Sequence, residues 1–251
     1  MAKVVVIAST GVTTNMLVNK LIQHHEIVSF YIETAPSKTT IVKRRMRKLG
    51  FFKVMGQLLF LVIGMRFISD RPKKRFIRQH ISIAKNLKIP SQVIASVHDP
   101  SFIEEISQIE CDFVVINGTR ILSSTLIDHL KVPILNIHVG ITPAYRGVHG
   151  GYWALYDNKP HLCGTTLHYV DKGIDTGKVI DQAIVKMDRK DNFKSYPLKQ
   201  YLKGLEMLLQ FLGDRQEKTC ELVELLSSKT KLHYHPTIWQ YVSKRISKGV
   251  R

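Results

Sequence analysis

Residues 3–8 read Lys3-Val4-Val5-Val6-Ile7-Ala8, an unbroken apolar run rich in β-branched side chains. A strand buried on both faces of a parallel sheet carries such a run, because neither of its faces meets water. A polar loop follows at residues 9–15, and residues 16–25 then carry apolar side chains at helical spacing. The N-terminal stretch therefore predicts the strand–loop–helix unit from which open α/β sheets are built.

The same alternation continues to about residue 140. The apolar runs predict further strands at 27–32, 92–96, 112–117 and 133–137, and the helical spacing predicts helices at 74–87, 101–109 and 122–130. This βαβ order predicts an α/β fold with a doubly wound, mostly parallel sheet and right-handed crossovers. Ligands of such sheets bind at the carboxyl ends of the strands.

The pattern changes after residue 140. Two longer strands are expected at 163–170 and 178–187, followed by a helix over 195–226 and a basic tail that is extended or partly helical. We expect a catalytic domain at 1–190 with a basic helical insertion at 36–80, and a C-terminal helical extension at 191–251.

Residues 36–80 concentrate the positive charge of the 251-residue chain. They carry thirteen Lys and Arg against one acid, Asp70, and so account for +12 of the net charge of +17. The segment resembles an amphipathic helix pair with residues 56–65 as an apolar centre too short to span a bilayer. The favoured interpretation is a cationic insertion packed on the domain or on a second subunit of a homodimer. Docking on an anionic membrane is the alternative. Nucleic-acid binding is not expected, because the cations alternate with aliphatic residues.

The three cysteines, Cys111, Cys163 and Cys220, are far apart and odd in number. No CxxC pair or Cys/His cluster has zinc spacing, so we expect free thiols, a reducing cytosol and no metal. The N-terminus lacks the basic start and cleavage site of a signal peptide. The expected location is cytoplasmic, with peripheral contact at the inner membrane surface as the alternative.

Asn136-Ile137-His138 lies at the end of the strand expected at 133–137. Alternation along an extended chain puts Asn136 and His138 on one side, where an amide and an imidazolium can donate to an oxyanion. Asp175 lies in a turn between Gly173 and Gly177 and could take part in proton transfer. The residues alone leave two alternatives open: a satisfied strand terminus and a turn capped by its Asp.

The neighbouring motifs resemble those of the formyltransferase family that includes glycinamide ribonucleotide transformylase and methionyl-tRNA formyltransferase. The likeness covers about residues 1–190. Four stretches carry it: Gly118-Thr119-Arg120-Ile121-Leu122-Ser123; Asn136-Ile137-His138 with Pro143, Tyr145, Arg146 and Gly147 after it; Gly164-Thr165-Thr166-Leu167-His168; and Asp171-x-Gly173-x-Asp175-x-Gly177, with Gln182 beyond.

The resemblance implies a Rossmann-like core and formyl transfer from the co-substrate 10-formyltetrahydrofolate to a primary amine, without a metal. Asn136 and protonated His138 would stabilise the oxyanion of a tetrahedral intermediate, and Asp175 would act on His138 and help to relay the amine proton. The folate would contact Gly118, Thr119, Arg120, Ile121, Leu122, Val170, Asp171 and Gly173. The acceptor would contact Gly11, Thr14, Asn15, Pro143, Tyr145, Arg146 and Gly147.

The loop Gly11–Asn15 is similar in position to the phosphate-binding loop of the purine enzyme, and a helix N-terminus there could hold a phosphate. An ordinary N-cap by Thr13 or Thr14 is an equal alternative. The aromatic block Tyr145, Tyr152, Trp153 and Tyr156 could face a sugar or base, or could be core.

The acceptor is the open question, because many relatives have Ser-Leu-Leu-Pro where this chain has Gly140-Ile141-Thr142-Pro143. A nucleotide-linked amino sugar is favoured, since its diphosphate would suit a basic insertion, and phosphoribosylglycinamide is the alternative. Methionyl-tRNA is disfavoured because the last 60 residues look helical rather than like a β-barrel, and a deformylase because no regulatory domain precedes the first strand. The non-enzymatic alternative is a formyltransferase-like module that binds membranes or polyanions.

Overall fold

The computed structural model describes residues 1–218 and 230–250. Its strands are β1 (Lys3–Ala8), β2 (Glu26–Glu33), β3 (Gln92–Ile94), β4 (Phe113–Asn117), β5 (Ile134–His138), β6 (Arg146–Gly147), β7 (Gly164–Tyr169), β8 (Val179–Ile184) and β9 (Leu232–His233). Seven of them form one sheet in the order β3-β2-β1-β4-β5-β7-β8, while β6 and β9 pair separately.

The first five strands of the large sheet run parallel. The hairpin β7–β8 then adds to β5 in the antiparallel sense. This confirms the doubly wound, mostly parallel α/β sheet that the sequence predicts.

The helices are α1 (Val12–His24), α2 (Lys38–Leu49), α3 (Phe51–Leu59), α4 (Met65–Phe67), α5 (Arg71–Gln79), α6 (Ile81–Ala84), α7 (Pro100–Ser107), α8 (Ser124–His129), α9 (Gly150–Tyr156), α10 (Tyr196–Asp214) and α11 (Ile238–Lys248). A π-helical turn, Phe60–Gly64, joins α3 to α4. The helix expected at 74–87 is divided into α5 and α6, because His80 leaves the helical backbone conformation.

Strand β1 shows why the sheet has two covered faces. Val4 and Val6 pack in one core with α1 and α10, whereas Val5 and Ile7 pack in another with α7 and α8. All four side chains are fully buried, each stabilising the fold by roughly 1.5–3 kcal/mol. The unbroken apolar run is thus explained by alternate residues serving opposite cores.

A third core joins the basic insertion to the domain. The ring of Phe60, fully buried, lies 5.0 Å from those of Phe193 and Tyr241, measured between centroids. The insertion is therefore packed on its own domain, as the favoured interpretation predicts. The aromatic side chains Tyr145, Tyr152 and Trp153 belong to the same core, which supports the core alternative for that block.

The basic tail contributes an extended piece, β9, and a helix, α11. The helix begins with a capping box in which Thr237 and Gln240 satisfy each other's backbone N–H groups. The helix expected over 195–226 is shorter than predicted: it ends at Asp214, because Arg215 takes a left-handed backbone conformation (φ 60°). Residues 219–226 lie outside the described residues. The boundary at residue 190 stays a prediction, although α10 packs in the main core.

No helix in the described ranges is by itself long and apolar enough to cross a membrane. Phe51–Phe67 and Arg71–Gln79 reach that limit only when taken together, and they are bent by 73° relative to each other.

Candidate active site

The carboxyl ends of the parallel strands open into a cleft of about 550 Å³, a size ordinary for a small-molecule site. Asn136 and His138 reach it from the end of β5, and Asp175 reaches it from the loop between β7 and β8. The three residues that the sequence brings forward as a catalytic group thus line one cavity.

His138 lies between two hydrogen-bond acceptors. Its Nε2 is 2.7 Å from the backbone oxygen of Tyr145, and its Nδ1 is 3.4 Å from Oδ2 of Asp175. A carbonyl and a carboxylate can only accept, so the ring satisfies both contacts fully when both nitrogens carry hydrogen. The geometry therefore suits an imidazolium, held in a site where the side chain is 5% exposed.

Asp175 is fixed by its loop. The residue has a left-handed backbone conformation (φ 51°), and its Oδ2 accepts a 2.7 Å hydrogen bond from the backbone N–H of Gly147. Within the same loop, Oδ1 of Asp171 accepts from the N–H of Gly173 and from the Thr176 hydroxyl. Gly177 closes the loop so tightly that a Cβ there would lie 1.8 Å from the backbone oxygen of Tyr169.

His168 is a fourth member of the site that the sequence reasoning left out of the catalytic group. It lies opposite Asn136 in the antiparallel pairing of β5 and β7. Its Nε2 is 3.1 Å from Nδ2 of Asn136 and 3.8 Å from Oδ1 of Asp175, and its Nδ1 is 2.7 Å from the backbone oxygen of Tyr169.

Burial lowers the pKa of His168, and the neighbouring His138 lowers it further. A neutral ring that donates from Nδ1 to the Tyr169 oxygen has a lone pair on Nε2. That lone pair accepts one hydrogen of the Asn136 amide, which fixes the amide's orientation and leaves its second hydrogen for a substrate oxygen. His168 is thus a positioning residue for Asn136.

All eight residues expected to contact folate line this cleft: Gly118, Thr119, Arg120, Ile121, Leu122, Val170, Asp171 and Gly173. The loop after β4 turns at Gly118 (φ 69°), where a Cβ would meet Oγ of Ser9 at 2.6 Å. The Arg120 guanidinium points into the protein, 2.9 Å from the buried carboxylate of Glu33. Arg120 therefore anchors the loop that lines the cavity.

The residues expected to contact the acceptor are more scattered. Gly147 lines the cleft, but Gly11, Thr14, Asn15, Pro143, Tyr145 and Arg146 do not. The Thr14 hydroxyl is buried and bonds Ser9 and Asn117, and the Asn15 amide donates to the backbone oxygen of Ala84. Helix α1 begins after Gly11 without a side-chain cap, so the alternative of an N-cap by Thr13 or Thr14 is wrong, because both residues lie inside the first turn.

Tyr145 and Arg146 support the site from outside the cleft, one through its backbone and the other through its side chain. The Tyr145 ring is buried against His233, with centroids 5.3 Å apart, and only its carbonyl reaches His138. The Arg146 side chain donates to the backbone oxygen of Ile174 and to the Thr230 hydroxyl, which supports the loop that carries Asp175.

Two cations of the insertion reach the cleft, which the sequence reasoning did not anticipate for individual residues. Arg45 and Lys48 line it, together with Leu232, His233 and Tyr234 of the tail. The Nζ atoms of Lys48 and Lys53 each lie 5.9 Å from the centroid of the Tyr234 ring. The concentration of positive charge in residues 36–80 is the feature of the sequence that pointed to these cations. Their position at the cleft depends on packing between distant segments.

Residues 1–218 and 230–250 contain no group of three or more His, Cys, Asp or Glu side chains placed to hold a metal ion. Burial raises the pKa of the Cys163 thiol to about 12, so this cysteine is not activated as a nucleophile.

Comparisons with known proteins show which family and fold this chain shares. Curated relatives include the methionyl-tRNA formyltransferase of Syntrophus aciditrophicus (30% identical, covering 49% of this chain and 41% of the relative) and that of Azobacteroides pseudotrichonymphae (26%, 73% and 59%). The chain spans about half the length of the curated relatives it matches.

Solved structures share the fold. A phosphoribosylglycinamide formyltransferase from Streptococcus pneumoniae superposes with a TM-score of 0.52 at 19% identity, covering 90% of this chain and 99% of that one. A sugar N-formyltransferase from Shewanella superposes with a TM-score of 0.56 at 15% identity, covering 97% and 87%. The family model for formyl transferase matches residues 68–210, more than half of the sequence and the part that holds Asn136, His138 and Asp175, so this chain belongs to the formyl transferase family.

Proposed function

We propose that the cleft transfers a formyl group from 10-formyltetrahydrofolate to a primary amine. The observation that carries this proposal is the convergence of Asn136, His138 and Asp175 on a cavity that is also lined by residues 118–122 and by Val170, Asp171, Gly173 and Ile174. A cavity of this size suits a small-molecule co-substrate.

The reaction needs oxyanion stabilisation and one proton transfer. The amine nitrogen bonds to the formyl carbon, the bond from that carbon to the folate nitrogen breaks, and one proton passes from the amine to that nitrogen. The free N–H of Asn136 and the imidazolium of His138 stabilise negative charge on the formyl oxygen. To reach that oxygen, His138 either gives up its hydrogen bond to the Tyr145 carbonyl or turns its Nδ1 towards the formyl oxygen. Asp175, 3.4 Å from the ring, is the group that can hold the proton in transit.

The proposed acceptor is a nucleotide-linked amino sugar. Arg45 and Lys48 bring two positive charges into the cleft, which suits a diphosphate, and Tyr234 offers an aromatic face between them and Lys53. Phosphoribosylglycinamide is the second candidate, but the internal hydrogen bonds of Thr14 and Asn15 weaken the case for a phosphate loop at Gly11–Asn15. Methionyl-tRNA is a further candidate acceptor, because the curated relatives are named methionyl-tRNA formyltransferases.

An acceptor screen tests this proposal. The protein is given 10-formyltetrahydrofolate with nucleotide-linked amino sugars, phosphoribosylglycinamide or methionyl-tRNA, and release of tetrahydrofolate is followed. We expect turnover with the sugar nucleotides. Turnover with either other acceptor alone contradicts the acceptor, and absence of folate binding by calorimetry contradicts the reaction and favours a polyanion- or membrane-binding module.

A matched pair of variants tests the role of the insertion. Arg45→Gln should raise KM for the sugar nucleotide about tenfold while leaving kcat within about twofold, because the lost charge–diphosphate contact is present in both ground and transition states. Arg44→Gln, at the exposed neighbouring position, is the control and should leave KM unchanged. Equal KM values for the two variants would remove the argument for a diphosphate at Arg45.

We propose a cytoplasmic location for the reaction, and peripheral contact at the inner membrane surface stays the alternative. The homodimer stays a prediction.

A further inference from the structure

The basic insertion exposes an unusual number of large apolar side chains. Phe52 and Phe67 are 82% and 81% exposed, and Phe51 and Val62 are more than half exposed. Helix α11 adds Ile246, 81% exposed, with Trp239 and Val242. We call these seven side chains the apolar face. Single exposed hydrophobics are ordinary, but a group of this size marks an interaction surface.

The two segments that carry the apolar face are packed together. The Trp239 ring lies against Gly56, where a Cβ would meet it at 2.1 Å. The Gln57 side-chain amide donates to the backbone oxygen of His235 over 2.8 Å, and the rings of Phe60 and Tyr241 are 5.0 Å apart. Helices α3 and α11 thus form one body, although they are about 180 residues apart in the chain.

The same two segments hold the entire excess charge of the protein. Residues 36–80 carry thirteen Lys and Arg and one acid, and residues 231–251 carry five Lys and Arg and no acid. Together they account for the whole net charge of +17, so the rest of the chain is neutral overall. The one acid, Asp70, is paired with Lys194 at 2.9 Å.

A groove of about 430 Å³ borders the apolar face. Phe67 lines it, together with the cations Arg71, Arg75, Lys190 and Arg245. Asp191, which also lines the groove, is 2% exposed and is ion-paired with Lys199. The groove therefore presents positive charge next to an exposed aromatic side chain. In a lipid surface, phosphate headgroups bind the positive charge and acyl chains contact the aromatic side chain.

We propose that the apolar face docks the protein on an anionic lipid bilayer, with lipid phosphates taken by the cations of the groove. A bilayer satisfies both halves of the surface, because its acyl region accepts aromatic and aliphatic side chains and its phosphates neutralise the excess cations. A second copy of this chain docked on the same face would bring two strongly cationic surfaces together, which disfavours self-association through this face. The 73° bend after Phe67 fits helices lying at the interface.

Docking would bring the candidate active site to the lipid surface. Lys48 lines the cleft and Lys53 lies beside Phe52, while both approach the ring of Tyr234. The start of α3, which carries Phe51 and Phe52, is therefore near the cleft. Docking would fix the location of the cleft at the lipid surface, whatever reaction the cleft carries out.

Co-flotation with vesicles tests docking independently of activity. The full chain is mixed with vesicles of neutral phosphatidylcholine or of phosphatidylcholine with about one third phosphatidylglycerol. We expect strong binding only to the anionic vesicles, weakened about tenfold or more by 0.5 M salt. Equal binding to both compositions, or binding to neither, overturns the proposal.

A triple variant, Phe52→Ser, Phe67→Ser and Ile246→Ser, should lower the partition coefficient about a hundredfold, because three apolar side chains no longer enter the bilayer. Its urea midpoint should match wild type, since all three side chains are exposed. Val93→Ser is the matched control: Val93 is 70% exposed on the edge strand β3, away from the apolar face, and the variant should bind like wild type. Unchanged binding by the triple variant refutes docking through this face.

Tryptophan fluorescence gives a second readout. The chain has two tryptophans, and Trp153 is buried, so a change on adding vesicles reports on Trp239. Brominated anionic lipid should quench wild type and not the variant Trp239→Phe. Absence of quenching in wild type overturns docking. Sedimentation that shows a dimer, which the triple variant abolishes, without any vesicle binding would show instead that the face joins two copies.

Discussion

Lowering the pH from 7.5 to 5.5 should destabilise the protein by about 4 kcal/mol through three histidines outside the catalytic group, His149, His233 and His235, which are buried in the neutral form. His149 and His235 form a pair in which Nε2 of His149 lies 2.9 Å from Nδ1 of His235. His233 is 5% exposed and stacks on the Tyr145 ring. All three lie where the tail packs under the insertion.

The pKa shifts have a common physical origin. Burial lowers the pKa of His149 to about 3, and the nearby His235 and Arg45 contribute in the same direction. Burial lowers the pKa of His235 to about 4, again with help from Arg45. Burial also lowers the pKa of His233 to about 4, with a further contribution from Lys231.

The sign follows from comparing the two states. In the unfolded chain each histidine takes up a proton as the pH falls through about 6.5, whereas in the folded protein it stays neutral until about pH 4. The free energy of unfolding is therefore highest above pH 6.5 and decreases as the pH falls below that value. One pH unit below 6.5, each histidine has lost about 1.4 kcal/mol, which gives about 4 kcal/mol for three, a large part of a typical folding free energy.

Urea unfolding at pH 7.5, 6.5 and 5.5 in 0.5 M salt, which screens general charge repulsion, measures this loss. The variant His235→Gln should reduce the difference between pH 7.5 and 5.5 by about 1.4 kcal/mol, whereas His161→Gln, at an exposed position, should leave it unchanged. A free energy of unfolding that is equal at pH 7.5 and 5.5 would refute the reasoning.

Two further predictions concern the geometry around Asn136 and Asp175. His168→Gln should lower kcat about tenfold or more with little change in KM, because the Asn136 amide loses the acceptor that orients it; a change in KM alone would contradict a positioning role. Gly177→Ala should destabilise the protein by about 1–3 kcal/mol and lower kcat, because the new Cβ would lie 1.8 Å from the Tyr169 backbone oxygen. Gly213→Ala is the control, since a Cβ there meets nothing within 4 Å. Equal urea midpoints for the two variants would argue against a rigid loop.

The sheet and the placement of Asn136 and His138 could be predicted because local patterns decide them. Val4 to Ala8 are apolar at every position, which only a strand covered on both faces requires. Asn136 and His138 are two residues apart at a strand end, so alternation alone brings them to one side. Because the strands pair in parallel, their carboxyl ends lie along one edge of the sheet, and this edge is where the cleft opens.

His168 could not be placed in the same way. Its position opposite Asn136 depends on the antiparallel register of β7 against β5, which is set by contacts 32 residues apart. A shift of one residue would send it to the other face. The sequence carries the motif around His168 but no local signal for that register.

The surroundings of the acceptor were also beyond local patterns. Thr14 and Asn15 look like free polar residues of a loop, but they bond Asn117 and the Ala84 carbonyl across 103 and 69 residues. Arg45 and Tyr234 meet at the cleft only because the insertion and the tail pack together. Such contacts arise from tertiary packing, which propensity and spacing do not encode.

The most direct test of the central claim is single-turnover release of tetrahydrofolate by wild type and by His138→Ala, with the acceptor found in the screen. The rate constant should fall by about a thousandfold, because a preorganised charged donor to the formyl oxygen is lost. Folate affinity should stay within about threefold, and His129→Ala, at an exposed position, should behave like wild type. A His138→Ala variant that releases folate at nearly the wild-type rate would contradict formyl transfer by this group of residues.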